Sequence, residues 1–169
     1  MTNSQTLSLK RADSNEIPRI ISLANQIWPV TYREILPPDQ ILYMMNMIYS
    51  PEALRRQMEA EAHQFFILEE NGSARGFASY ADLQKSDKFK LHKIYVLPGQ
   101  QGKGLGKFFL EAIMERIRQQ GGSALLLNVN RYNKAKQFYE KLGFYVIREE
   151  DIDIGNNYFM NDFVMNKDL

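Results

Sequence analysis

The 169-residue chain contains no cysteine and only two histidines, His63 and His92. Without thiols it forms no disulfide, binds no zinc or iron–sulfur cluster through thiolates, and has no cysteine nucleophile. Two histidines are too few for a histidine-rich metal site, although carboxylates remain available for a hard cation. The composition therefore excludes thiol chemistry, and it fits a reducing compartment.

The sequence also lacks an excess of charge of one sign and a long apolar segment. Its 21 Lys and Arg residues against 20 Asp and Glu give a net charge of +1. This balance argues against a protein that mainly coats nucleic acid or an anionic membrane. No apolar run approaches the roughly 18 residues of a membrane span, and the first residues lack the regions of a secretory signal. We therefore expect a cytoplasmic protein whose partners are neither nucleic acids nor membranes.

Length and apolar periodicity predict one α/β domain. Hydrophobic residues make up 44% of the chain, enough for a single core. Apolar residues at alternate positions predict strands, and apolar residues at helical spacing predict helices. The strands are predicted at 7–11, 64–70, 76–83, 89–96, 124–129, 144–148 and 158–165. The helices are predicted at 17–29, from Pro38, from Pro51, at 105–120 and at 133–142.

One strand–helix–strand unit runs from Phe89 to Val129. Its two strands should be parallel, with a right-handed crossover through the helix between them. The remaining strands are expected to pair as hairpins. The predicted fold is therefore a mixed, mostly antiparallel sheet with helices on its faces.

A glycine-rich turn lies between the predicted strand that ends at Val96 and the helix that begins near Leu105. Glycines at alternate positions let backbone amides point into one concavity, and the helix behind them adds free N–H groups and partial positive charge. This pattern predicts a diphosphate cradle; the alternative is a solvated turn whose glycines only relieve strain. The segment is not a dinucleotide-binding fingerprint, because Lys107 stands where that motif needs its last Gly. It is not a P-loop, because Leu105 stands where that motif needs Lys.

The segment Gln101-Gly102-Lys103-Gly104-Leu105-Gly106 resembles the Q/R-x-x-G-x-G/A signature of the GNAT N-acetyltransferases. A second block, Phe138-Tyr139-Glu140-Lys141-Leu142-Gly143-Phe144, resembles the late helix-to-strand junction of the same family. The resemblance implies a single N-acetyltransferase domain over 1–169 that uses acetyl-CoA as co-substrate. Within it, acceptor-side elements would occupy about 1–63, the acetyl-CoA core about 64–148, and C-terminal strands about 149–169.

In this family acetyl-CoA lies between two parallel strands that splay apart, here the strands ending near Val96 and Val129. The resemblance implies that backbone groups at the first strand end pair with the pantetheine arm and that amides of the glycine turn hold the pyrophosphate. The cofactor-binding residues it implies are Ile94, Tyr95, Val96, Gln101, Gly102, Lys103, Gly104, Leu105, Gly106, Lys107 and Asn133.

The asparagine contact to the pantetheine departs from the family pattern. The family asparagine stands seven residues before the conserved tyrosine, where this chain has Tyr132. Asn133 is the expected substitute, and Asn130 is the alternative. Asn133 would equally suit the N-cap of the following helix, because Asn is favoured there.

The resemblance implies that Tyr139 donates a proton to the departing CoA thiolate and that His92 removes a proton from the acceptor amine. Alternatives remain open for both, since Tyr139 would also suit aromatic packing and His92 a hydrogen-bonded core position. A chain of water molecules could replace the histidine. The chain offers no covalent nucleophile, so direct attack by the amine in a ternary complex is the expected mechanism.

The acceptor is expected to be a small molecule with a primary amine. The layout loosely resembles bacterial polyamine acetyltransferases. The candidate acceptor-side residues are aromatic, acidic or methionine: Trp28, Tyr32, Glu34, Tyr43, Met44, Met45, Met47, Tyr80 and Asp82. Amino acids, peptide or protein N-termini and other small amines remain open. A non-catalytic, CoA-ester-binding regulatory module is the alternative to an enzyme, and a homodimer through the C-terminal strands is a further hypothesis.

Overall fold

The computed structural model describes residues 6–100 and 102–169, and its elements follow the predicted order. The strands are β1 Leu7–Ala12, β2 Gln64–Glu70, β3 Ser73–Asp82, β4 Lys88–Val96, β5 Ala124–Asn130, β6 Tyr145–Gly155 and β7 Tyr158–Asp168. The helices are α1 Ile17–Tyr32, α2 Pro38–Tyr49, α3 Pro51–Glu59, α4 Leu105–Gln119 and α5 Ala135–Lys141, with a 3-10 turn at Ser14–Glu16 before α1.

The strands form a seven-stranded sheet in the order β1-β2-β3-β4-β5-β7-β6. The pairs β1–β2, β2–β3, β5–β7 and β6–β7 are antiparallel, whereas β4 and β5 are parallel. The parallel register runs from Lys88 opposite Ala124 to Leu91 opposite Leu127, and both strands continue beyond it. The predicted fold class and its parallel strand pair are thus confirmed.

Backbone contacts divide the chain into two compact units whose three boundaries lie within β3, β4 and α4 rather than in linkers. The first comprises the described residues up to Ala81 and those from Lys93 to Ile113; the second comprises Asp82–His92 and Met114–Leu169. The sequence-based division into acceptor side, cofactor core and C-terminal strands stays a prediction.

The helices of the first unit begin where the sequence predicts. Ser50 caps α3 by accepting a hydrogen bond from the Ala53 N–H at 3.2 Å, and Pro51 occupies its first turn. Asn71 and Gly72, both at positive φ, form the β2–β3 hairpin turn.

The predicted end of α1 at Trp28-Pro29 is wrong, because the helix continues through Pro29 to Tyr32. Tyr32 prolongs the buried stripe of Ala24 and Trp28, and burial of its ring outweighs the hydrogen bond that Pro29 removes.

In the second unit, the C-terminal hairpin is longer than the sequence pattern predicts. Strand β6 extends from Tyr145 to Gly155, and β7 pairs with it over nearly its whole length. Residues 145–149 of β6 are exposed, whereas β7 buries Val164 and Met165. The acidic segment after Arg148 therefore belongs to a strand at the edge of the sheet.

No helix among the described residues is both long and apolar enough to cross a membrane.

Candidate active site

The glycine turn places its backbone in conformations that only glycine adopts readily. Gly99, Gly102 and Gly104 have φ values of 83°, 81° and 74°. A Cβ atom at Gly102 or Gly104 would meet no atom within 4 Å, so open space lies in front of this backbone. Gln101, which the resemblance includes in the motif, lies outside the described residues. The turn therefore leaves room for a group to approach the main chain.

Helix α4 begins immediately after this turn, at Leu105. The Phe108 N–H donates to the Gly104 carbonyl at 3.0 Å. The preceding N–H groups, from Leu105 to Lys107, are the ones that an α-helix leaves without intrahelical acceptors. Together with the helix dipole, these N–H groups favour an anion at this end of α4.

Two lysines add positive charge around the same helix end. Lys103 donates from Nζ to the Gln100 side chain at 3.2 Å. Lys107 is exposed and lies 3.9 Å from Glu111, one turn along the helix. Neither contact buries the ammonium group, so both charges remain accessible to a dissolved anion.

The carboxyl end of β4 is fixed by its neighbour β3. A Cβ atom on Gly76 of β3 would overlap the Tyr95 carbonyl oxygen, so only glycine permits this approach of the two backbones. One residue earlier in β3, the Arg75 carbonyl accepts a hydrogen bond of 2.8 Å from the Leu97 N–H. Ile94, Tyr95 and Val96 are half-buried at this position. The strand end predicted to bind pantetheine is therefore held rigidly from one side.

An aromatic cluster, defined as Trp28, Tyr32, Tyr49, Phe77 and Tyr95, packs against the same end of β4. The Trp28 ring lies 4.4 Å from Tyr32 and 5.5 Å from Tyr49 between centroids, and its Nε1–H donates to the Tyr49 hydroxyl at 2.9 Å. The Tyr32 and Tyr95 hydroxyls are hydrogen-bonded to each other at 3.0 Å. The predicted acceptor-side residues Trp28 and Tyr32 thus join α1 to β4, whereas Glu34 is exposed.

Lys93, which the sequence analysis did not select, lies buried beside this cluster with only 8% of its surface exposed. Its Nζ donates to the Gln57 side-chain oxygen at 2.6 Å and lies 5.9 Å from the Tyr49 ring centroid and 5.4 Å from that of Phe65. Burial lowers the pKa of Lys93 to about 8, which the charge of Glu61 partly opposes. Lys93 lies two residues from Leu91 and two from Tyr95, on the same face of β4 as both. This spacing is the sequence signal that its side chain faces inward.

The second unit holds both residues to which the resemblance gives catalytic roles. Tyr139 of α5 is 9% exposed, and its ring lies 5.4 Å from Phe138 and 5.7 Å from Phe144 in edge-on contacts. These contacts fix the ring direction, as the packing alternative also requires. His92 of β4 is exposed rather than part of the core, which suits a group that exchanges protons with solvent.

The two asparagines proposed for the pantetheine contact both serve local backbone turns. The Asn133 Oδ1 accepts from the Ala135 N–H at 2.9 Å, at the start of α5. The Asn130 Oδ1 accepts from the Tyr132 N–H at the same distance, and Asn130 is buried. The N-cap of α5 is Lys134, so the N-cap role considered for Asn133 is wrong, and its hydrogen bond closes the turn just before the helix. A contact to a ligand through the Asn133 amide NH2 stays a prediction.

A polar group missed by the sequence analysis lies on neighbouring strands of the second unit. The Asn128 amide donates to Asp162 at 3.3 Å and to Glu150 at 3.5 Å. Asp162 is buried, and burial raises the pKa of its carboxyl group, whereas Arg148 lowers the pKa of Glu150. Within the described part of the chain, no group of three or more His, Cys, Asp or Glu residues is arranged to hold a metal ion.

Comparison with protein families gives one match over most of the chain. The family described as the acetyltransferase (GNAT) domain matches residues 36–159. This range includes β4, the glycine turn, α4 and α5.

Two similar individual proteins match over part of the chain. The L-methionine sulfoximine/L-methionine sulfone acetyltransferase of Salmonella typhimurium is 34% identical over 84 residues, which are 47% of this chain and 49% of that protein. The [ribosomal protein bS18]-alanine N-acetyltransferase of Haemophilus influenzae is 35% identical over 101 residues, 60% of this chain and 64% of that protein. The chain thus spans about half the length of the first relative and less than two thirds of the second.

Among solved structures, the PaiA N-acetyltransferase from Thermoplasma acidophilum, crystallised in complex with coenzyme A, superposes with a TM-score of 0.81. The superposition covers 97% of this chain and 99% of that one, at 24% sequence identity. At this identity the likeness establishes a shared fold.

Proposed function

The chain belongs to the GNAT acetyltransferase family, and from this premise we propose that it transfers the acetyl group of acetyl-CoA to the primary amine of a small molecule. The observation that carries the proposal is the glycine turn of the first unit. It combines open space at Gly102 and Gly104 with the amino end of α4 and two accessible lysines. This donor set fits a pyrophosphate chemically.

Acetyl-CoA supplies an acetyl group activated as a thioester, and the chain binds and orients it. The backbone amides from Gly102 to Lys107 hold the pyrophosphate, and the backbone at Ile94 and Val96 pairs with the pantetheine arm as a neighbouring strand would. The support given by β3 at Gly76 keeps this strand end in place. Asn133 is the proposed side-chain contact to the pantetheine, and Asn130 is the alternative.

Tyr139 is the proposed general acid. As the amine nitrogen bonds to the acetyl carbon and the carbon–sulfur bond breaks, the Tyr139 hydroxyl gives its proton to the departing sulfur. In water a phenol is a weaker acid than a thiol. Proton transfer from the phenol to the thiolate therefore requires a site that orients the phenol. The edge-on packing of Tyr139 against Phe138 and Phe144 supports such a fixed orientation.

His92 is the proposed general base, with a chain of water molecules as the alternative. An alkyl amine of pKa near 10 is almost fully protonated at neutral pH and must lose a proton before it attacks. The exposure of His92 on β4 supports a route from the amine to solvent. Direct transfer in a ternary complex predicts sequential kinetics, without an acetylated enzyme.

The partial relatives support an acceptor whose reactive amine is an α-amine. One is named for methionine derivatives and the other for an alanine of a ribosomal protein. A protein N-terminus is therefore the second candidate acceptor, and a polyamine is the third. The cytoplasmic location and the homodimer expected from the sequence stay predictions.

The experiment that tests the proposal measures acetyl-CoA binding by calorimetry and CoA release with a panel of amines. The panel contains amino acids, short peptides and polyamines, and the variants are Tyr139→Phe and His92→Gln. We expect amine-dependent CoA release from the wild type, and a decrease in kcat of about 100-fold in Tyr139→Phe with acetyl-CoA affinity unchanged. For His92→Gln we expect loss of the acidic limb of the pH–rate profile.

Tyr145→Phe is the matched control, because Tyr145 is an exposed tyrosine of the same unit that receives a hydrogen bond from Asn166. It should keep full activity. Binding of acetyl-CoA without turnover on any amine would identify a CoA-ester-binding module instead of an enzyme. Absence of binding would contradict the whole proposal.

A further inference from the structure

Lys93 is a buried lysine of β4 that forms no ion pair with a carboxylate of residues 6–100 or 102–169. Its Nζ contacts the neutral side chain of Gln57 and the faces of Tyr49 and Phe65. The acid that acts on it, Glu61, is exposed, pairs with Arg56 at 3.3 Å and lies 3.5 Å from the His63 ring. A desolvated charge that is not matched locally produces an electric field over the surrounding site.

This charge lies close to the position where the proposed function places the reacting thioester. Lys93 directly precedes Ile94 and lies three residues from Val96, a span of roughly 10 Å along a strand. At roughly 10 Å and an effective dielectric constant of about 20, a unit charge changes the affinity of a charged group by about tenfold or more. An acceptor bound beside this strand end is therefore sensitive to Lys93.

We propose that the charge of Lys93 determines which acceptors the enzyme prefers, an inference that rests on the proposed function. Its ammonium group favours acceptors that carry a carboxylate beside the reactive amine, such as free amino acids, and disfavours acceptors with additional ammonium groups, such as polyamines. The Tyr49 and Phe65 rings beside the ammonium group strengthen this effect, because burial excludes the water that would otherwise screen the charge. Lys93 acts through its field and is a specificity-determining residue rather than a catalytic one.

The test compares wild type with Lys93→Met on L-leucine, L-leucinamide and spermidine. For each acceptor, kcat/KM of the variant is divided by that of the wild type, so that differences in amine pKa between acceptors cancel. We expect this ratio to fall about tenfold for leucine relative to leucinamide, and to rise for spermidine. Lys88→Met, which removes an exposed charge at the start of the same strand, should leave all three ratios equal.

A second measurement does not depend on the fold of the variant. Because the pKa of Lys93 is about 8, the wild-type preference for leucine over leucinamide, corrected for the fraction of each amine that is unprotonated, should decline between pH 7 and pH 9. A Lys93→Met variant that lowers kcat/KM equally for all three acceptors would show a purely structural role and overturn the inference.

A wild-type enzyme that prefers spermidine, or that binds acetyl-CoA but acetylates none of the three acceptors, would also overturn it. If acetyl-CoA does not bind, the proposed function itself fails, and this result is distinguishable because it needs no acceptor.

Discussion

The two hairpins β2–β3 and β6–β7 have the same topology and opposite environments. In β2–β3, residues 65–68 and 77–80 are at most 1% exposed. In β6–β7, residues 145–149 form a continuous exposed run, with Tyr145 at 49% and Ile147 at 43%. The two hairpins also differ in their place in the strand order, because β2 and β3 have strands on both sides whereas β6 ends the sheet.

The hairpins therefore accommodate polar groups in different ways. On β6, charges pair in water: Arg148 contacts Glu150 at 2.8 Å, and Arg131 contacts both Glu149 and Asp151. Beside β2–β3, the charge of Lys93 has a neutral hydrogen-bond partner and aromatic faces. We therefore expect the exposed Arg148 on β6 to change the free energy of unfolding little. We expect the buried charge of Lys93, beside the inner hairpin β2–β3, to lower it.

The largest expected difference between the hairpins concerns their aromatic residues. Phe77→Ala should lower the free energy of unfolding by about 4 kcal/mol, because Phe77 is fully buried against Tyr49 and Tyr95. Phe159→Ala should lower it by less than about 1 kcal/mol, because half of that ring is already exposed. Urea unfolding measures both values. Equal losses would show that the exposed hairpin is buried in solution, for example between two copies of the chain.

A smaller effect is expected where β3 approaches β4. Gly76→Ala should cost about 2 kcal/mol, because its methyl group would overlap the Tyr95 carbonyl and force the two backbones apart. Displacement of this strand end should also weaken acetyl-CoA binding at least tenfold in calorimetry. Ser73→Ala, at an exposed position of the same strand, is the control and should change neither quantity. Unchanged binding in Gly76→Ala would argue against the role of Ile94 and Val96 in holding pantetheine.

Patterns that depend on local chemistry predicted the fold well. Ser50-Pro51 predicted the start of α3, and Asn71-Gly72 predicted the turn of the inner hairpin, because each signal reflects the geometry of one or two residues. The parallel pair also followed from the strand–helix–strand order. These expectations needed no information about tertiary contacts.

Features decided by tertiary contacts were missed. Helix α1 passes through Pro29 because Tyr32 is buried, and the acidic part of β6 is a strand because β7 pairs with it. Lys93 was overlooked because a lysine in a strand is expected to face water. The roles of Tyr139, His92 and Asn133 stay predictions.

A third effect, similar in size to that of Gly76→Ala, tests the contrast between Lys93 and Arg148. The pKa of Lys93 is about 8 in the folded chain and 10.5 in the unfolded one, so the unfolded chain binds more protons between these values. Stability must then rise with pH across this interval. From the free energy of about 1.4 kcal/mol per pKa unit, the wild type should gain about 2 kcal/mol relative to Lys93→Met between pH 7.5 and 9.5.

Arg148→Met is the matched control on the edge strand. Because arginine side chains do not titrate in this pH range, wild type and this variant should show parallel pH profiles. The neighbouring Tyr49 does not interfere, because burial raises its pKa well above the usual value and it stays protonated. If the difference between wild type and Lys93→Met is constant with pH, Lys93 is solvated in the folded chain, and both the contrast between the two cations and the proposed charge selection lose their basis.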